Sequence, residues 1–179
     1  MKRFITLCLV VLLSLCAVSC SSTTTEYKQV TTRPTFEVVF AYNNEKCSGN
    51  RIYFDTNFPI GTLFDIELKK GADFSIVQSD VAVQVTDASS LNYLQTDAFV
   101  IEDETIPDGN YILTVTLVDM QNQPDNVQQK LGSDGKNMIG QDVYAVTTIA
   151  GGTTAYKQET FSKHYRVTKL GDKYTYSEQ

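Results

Sequence analysis

The chain has 179 residues, 15 of them basic and 21 acidic, for a formal charge of −6, with one histidine, four cysteines and no tryptophan. That length supports one domain with its own core. The acidity disfavours nucleic acid and anionic lipid headgroups as partners, because their phosphates repel such a chain.

At the N-terminus Lys2 and Arg3 precede an apolar run, Phe4 to Val18, interrupted by Thr6, Ser14 and the thiols of Cys8 and Cys16. The run is too short for a permanent transmembrane helix, which takes roughly 20 apolar residues. A basic segment, an apolar stretch and a small residue at the cut are the order of a secretory signal. The residues Ala17-Val18-Ser19-Cys20 resemble the lipobox of bacterial lipoproteins. The resemblance implies cleavage before Cys20, a diacylglycerol thioether on its sulfur, and acyl chains such as palmitate that hold the protein to the bacterial cell membrane or outer membrane. Two or more chains make such an attachment durable. Cys16 does not fit the pattern, because Leu15 is too bulky for the small position. Residues 1–19 are therefore expected to be a lipoprotein signal peptide. Their loss leaves 160 residues with a formal charge near −8, and Cys47 as the one thiol neither removed nor lipidated. A disulfide framework needs an even set, so the fold must rest on its apolar core.

Residues 20–35 are rich in Ser and Thr and show no apolar period, which predicts a flexible tether. Residues 36–179 are expected to form a single β domain. Period-two alternation runs through "FEVVFAY" (36–42), "TLFDIEL" (62–68), "VAVQV" (81–85) and "NYILTVTLV" (110–118), with shorter runs at "RIYF", "DAFVIE", "VYAVTTI" and "HYRVTKL". Strict alternation buries one face and wets the other, as in antiparallel sheets. Glycine- and proline-bearing turns separate the runs, from Ser48-Gly49-Asn50 to Gly171-Asp172. Seven to nine short strands without a long helical pattern predict an all-β fold, an antiparallel β-sandwich.

The stretch "IPDGNYILTVTL" (106–117) resembles the entrance to the penultimate strand of many bacterial immunoglobulin-like domains, with Pro107 presetting the turn, Gly109 freeing the backbone and Tyr111 burying its ring. The resemblance implies an immunoglobulin-like sandwich and carries no activity. Between strands, residues 119–142 predict one short helix: Pro124 suits a first turn, Val127 and Leu131 share a face, and Gly132 can close it. Val127-Gln128, Leu131-Gly132, Gly135, Asn137 and Gly140 are similar in spacing to a segment of uncharacterised secreted bacterial domains, a resemblance that carries no activity; a segment of this length between strands reads as a structural cap over an open end of the sandwich, or else as a functional insertion.

Chemistry-bearing clusters are sparse. Alternation places His164 and Arg166 toward solvent, opposite Tyr165 and Val167. No cofactor pattern is present: Gly151-Gly152 lacks the lysine and helix of a phosphate loop. A zinc site needs three or four ligands, and one histidine with one distant thiol does not supply them. Neither Glu102-Asp103-Glu104 nor Asp134, Asn137 and Asp142 has the spacing of an EF-hand loop; both read as solvated turns. Cys47 reads as an unpaired structural thiol. Tyr93, Tyr144, Tyr156, Tyr174 and Tyr176 suit half-buried strand positions, or else a recognition surface.

Two functions remain open at this point. One is a lipid-anchored, extracytoplasmic binding or scaffolding module without catalysis, attached to the membrane through Cys20, whose partner is an envelope protein or a cell-wall component. Its contact surface is expected in residues 119–142, with Asn137, Met138, Ile139 and Asp142 as binding candidates. The other is an envelope hydrolase that uses carboxylates such as Asp103, Glu104 or Asp142 with His164.

Overall fold

The computed structural model describes residues 24–29, 36–87, 94–102, 104–150 and 153–179. In chain order the strands are β1 (Thr24–Gln29), β2 (Phe36–Glu37), β3 (Phe40–Tyr42), β4 (Arg51–Ile52), β5 (Phe54–Thr56), β6 (Leu63–Lys70), β7 (Ile76–Thr86), β8 (Leu94–Thr96), β9 (Phe99–Val100), β10 (Gly109–Leu117), β11 (Met138–Ile139), β12 (Val143–Ala150), β13 (Thr153–Leu170) and β14 (Lys173–Glu178). A 3₁₀ turn at Met120–Asn122 and one short helix, α1 (Asp125–Leu131), lie between β10 and β11. The fold is thus predominantly β with one short helix, as the alternation predicts. None of the helices among the described residues is long and apolar enough to cross a membrane.

Hydrogen bonds join ten strands in one antiparallel sheet, in the order β1-β12-β13-β10-β6-β7-β8-β5-β3, with β14 added to β13. The sheet curls, because strands far apart in that order touch through their side chains. Phe40 on β3 meets Phe161 on β13 with ring centroids 5.0 Å apart, and Phe54 on β5 meets Tyr165 on β13 at 5.1 Å. Between them lie the apolar faces of β6 (Phe64, Ile66, Leu68) and β10 (Tyr111, Leu113, Val115, Leu117), every one of these side chains buried. The offset and edge-on rings of Phe40, Phe58, Phe64 and Phe161 add aromatic contacts worth about 1 kcal/mol per pair beyond their burial.

The stretch "FEVVFAY" forms two strands rather than the one expected. The chain changes partners at Val38 and Val39: Val38 N donates to Ile139 O, whereas Val39 N donates to the side chain of Asn57. Asn57 also donates to Glu37 O, so one amide bridges the gap between β2, which pairs in parallel with β11, and β3, which pairs with β5. The expectation of an unstructured tether over residues 20–35 also needs correction. Within it, Thr24–Gln29 pairs antiparallel with β12, from Thr24↔Ile149 to Gln29↔Tyr144. The edge of β12 offers unpaired backbone groups, and the threonines and Tyr27 favour extended backbone. Residues 1–23 and 30–35, with the signal peptide and Cys20, lie outside the described residues.

Residues 119–142 close one end of the core. Val127 and Leu131 of α1 are fully buried, and Gly132 ends the helix at φ +89°. Gln123 is also buried and behaves as a surrogate strand residue: its side chain accepts from Leu63 N and donates to the carbonyls of Leu63 and Val118. The loop after α1 then runs close under β13. At Gly135, φ is +75° and an added Cβ would stand 2.3 Å from Glu159 O.

Two predictions follow from these contacts. Gly135→Ala should lose about 3 kcal/mol of unfolding free energy in urea titration, since it adds both backbone strain and a clash with a ladder carbonyl. The Tyr111 hydroxyl donates to Pro107 O across the turn that opens β10. Tyr111→Phe should therefore cost about 1 kcal/mol in the same titration, against roughly 3–5 kcal/mol for Tyr111→Ala, which also empties the core.

Candidate functional site

Because β10, β12 and β13 are in register, their side chains sort onto two faces. One face is the core. On the other, Thr114 and Thr116 of β10 stand beside His164 and Ser162 of β13. Next to them, Thr160 and Gln158 of β13 stand beside Tyr144 and Val146 of β12. Tyr27 of β1 lies opposite Val146, diagonal to Tyr144. Diagonal neighbours on one sheet face are close enough for aromatic side chains to share a site. The result is a shallow depression of about 620 Å³, open to solvent, across four strands.

Hydrogen bonds fix its floor. Thr114 Oγ1 lies 3.1 Å from His164 Nδ1, Thr116 Oγ1 lies 3.3 Å from Ser162 Oγ, and Gln158 Nε2 donates to Asp119 Oδ1 at 2.8 Å. Tyr27 is 69% exposed. Neither its hydroxyl nor that of Tyr144 has a partner among the described residues. Among the described residues no lysine or arginine lines the depression, and Asp119 and His164 are its ionisable side chains besides the tyrosines.

The residues singled out in the sequence are dispersed by the fold. Met138 is fully buried, Ile139 is half-buried in β11, Asn137 donates to Lys130 O, and Asp142 pairs with Lys163 at 3.6 Å. These four hold the 119–142 segment on the body of the domain. His164 is exposed and points to the face opposite Lys163, so Asp142 and His164 project from opposite sides of β13. Glu104 lines a separate hollow with Lys169 and Tyr174, and Asp103 lies outside the described residues. Asp119 does share the groove with His164, but its partner Gln158 is six residues from His164 on an extended strand, a separation of roughly 20 Å. Among the described groove residues, the acid Asp119 and the imidazole of His164 are thus held at different points along β13.

Of the five tyrosines considered for recognition, Tyr144 lines the groove. Tyr174 and Tyr176 on β14 pack against the core, and Tyr176 donates to Gly49 O. Tyr93 and the side chain of Tyr156 lie outside the described residues. The residues that sequence reasoning missed, Tyr27, Thr116, Gln158, Thr160 and Ser162, are the polar partners of the alternation that marks the core. Among the described residues no group of three or more His, Cys, Asp or Glu could hold a metal ion.

Cys47 is half-buried, accepts from Tyr53 N and donates to Tyr53 O. Burial is the main influence on its thiol and pushes its pKa up. Its thiolate fraction at a given pH is therefore below that of free cysteine, and alkylation should be slower. Iodoacetamide labelling located by peptide mapping should show the rise of Cys47 reactivity displaced to higher pH than that of glutathione; a rise at lower pH would mark an activated thiol.

No family model, curated protein or solved structure matches the chain.

Proposed function

We propose that the chain is a lipid-anchored extracytoplasmic module that binds or scaffolds another component of the bacterial envelope without catalysis, and that the β1–β12–β13–β10 groove is its contact surface. The single observation that carries this reading is the groove itself. It is an open face lined by hydroxyl, amide and phenol groups, and among the described residues the hydroxyls of Tyr27 and Tyr144 have no partner while Asp119 and His164 lie at different points along it. The lipobox-like Ala17-Val18-Ser19-Cys20 supports the anchor. Thr24, four residues past Cys20, pairs with Ile149 near the β12–β13 connection, so the anchor would leave from that end of the sheet and Leu170 would stand at the far end. The contacts of Phe40 with Phe161 and of Phe54 with Tyr165 support reading the curled sheet as two facing layers, an immunoglobulin-like β-sandwich with the Pro107-to-Tyr111 turn in its family place.

A photo-crosslinking residue in place of Tyr144, in intact cells of the source, should capture an envelope component identifiable by mass spectrometry, whereas the same residue in place of the exposed Glu45 should not. The mature N-terminus should carry lipid on Cys20. Capture at neither position, or at both alike, contradicts the contact surface; an unmodified Cys20 in a membrane-free fraction contradicts the anchor.

A further inference from the structure

We infer that the ligand of the groove is a neutral oligosaccharide, held by stacking on Tyr27 and Tyr144 and by hydrogen bonds to the hydroxyl and amide floor. This inference rests on the groove being a contact surface and names what it contacts.

An anionic ligand such as a phosphate, an acidic peptide or a uronic acid chain needs a cation, and among the described residues no lysine or arginine lines the groove. A cationic ligand would find one carboxylate, Asp119, already engaged by Gln158. An extended peptide binds a sheet chiefly by adding a strand to an unpaired edge, where backbone N–H and C=O groups are free. Here β12 is paired on both sides, by β1 and β13, while β13 carries β12 along Gln158–Phe161 and β10 along Ser162–His164, so the backbone of the groove floor is bonded within the sheet and the one open edge, that of β1, borders the floor instead of forming it. Only side chains face outward. An apolar ligand would cover the hydroxyl and amide groups of the floor without bonding them, and the two aliphatic residues of the lining, Val146 and Leu117, are nearly buried.

What the groove does offer is a row of neutral hydroxyl and amide groups, Thr116, Ser162, Thr160, Gln158 and Thr148; Thr116 already meets Ser162, Thr160 donates to Leu117 O and Gln158 donates to Asp119, so hydroxyl lone pairs are what the row presents to a ligand, with Nε2 of the exposed His164 at one end. Two aromatic faces stand on its β1–β12 side. A chain of uncharged sugar rings presents the complement, hydroxyls that donate and accept around the ring edge and apolar C–H faces that stack on phenol rings. The volume, about 620 Å³, lies within the range of small-ligand sites. Its length along β13, from Gln158 to His164, is roughly 20 Å, enough for a short run of sugars.

The test is isothermal titration of the full chain, solubilised in a detergent without a sugar headgroup, with neutral hexasaccharides (of glucose in α and β linkage, xylose, mannose and N-acetylglucosamine). Hexagalacturonate and a neutral Ser/Thr/Gly decapeptide serve as the charged and peptide probes. At least one neutral hexasaccharide should bind. Tyr144→Ala and Tyr27→Ala should each weaken it about tenfold. Tyr144→Phe, which keeps the ring, should retain most of the affinity, and Lys28→Ala, on the other side of β1, should leave it unchanged. Circular dichroism of each variant should match the parent, so that loss of affinity reports the site. Hexagalacturonate should bind more weakly than the neutral sugars. Binding of the decapeptide in their place, failure of all neutral sugars, or affinity indifferent to both tyrosines overturns the inference. Capture of an envelope protein from position 144 together with failure of every sugar leaves the contact surface standing and removes only its saccharide ligand.

Discussion

The structure depends on one strand being hydrogen-bonded along both edges. Residues Tyr165–Lys169 of β13 pair with β10 on one side and β14 on the other, while the N-terminal half of the same strand pairs with β12. A strand 18 residues long cannot change which face a side chain occupies without a bulge, because the period is two. Its register therefore commits Phe161, Tyr165 and Val167 to the core and Thr160, Ser162 and His164 to the opposite face. The aromatic cluster and the groove are two consequences of one pairing.

Lys163 shows how strict that commitment is. Its position on β13 puts it on the core face, between Phe161 and Tyr165, where a charge is costly. Its stem crosses the apolar surface, and the ammonium reaches Phe40 O at 2.9 Å, Glu178 at 3.2 Å and Asp142 at 3.6 Å, close to the ring of Tyr165. One side chain so ties β3, β14 and the 119–142 segment to the central strand. Removal of the ammonium would leave three acceptors that the fold has oriented toward it. The Tyr165 hydroxyl beside it has no hydrogen-bond partner among the described residues, and burial holds its pKa well above the usual phenol range.

Much of this was legible in the sequence where one face of a strand is buried. "TLFDIEL" and "NYILTVTLV" alternate cleanly because β6 and β10 lie at the centre of the sheet, with core on one side only. Val127, Leu131 and Gly132 marked α1 for the same reason: the helix buries a stripe and must stop. Strands that leave the core carry no such signal. The sequences of β1, "TTEYKQ", and of the first part of β13, "TTAYKQE", show no apolar alternation, and β14 packs against the core through Tyr174 and Tyr176. The groove was illegible because it is built from the polar half of the pattern, which in most strands merely meets water. Met138 illustrates the converse: a flexible-looking loop of glycines and polar residues places it wholly in the core, because Gly135 lets the backbone pass against β13.

The curled sheet and the opposed faces of β13 stand together, and the proposed binding at the outer face depends on both. They are tested most directly by nuclear Overhauser contacts across the four groove strands of isotope-labelled protein. The account predicts an unbroken ladder, with backbone contacts of Tyr27 with Val146, of Val146 with Gln158, and of Ser162 with Thr116. A ladder broken between β13 and β10, or a β1 segment with no cross-strand contact, would contradict it.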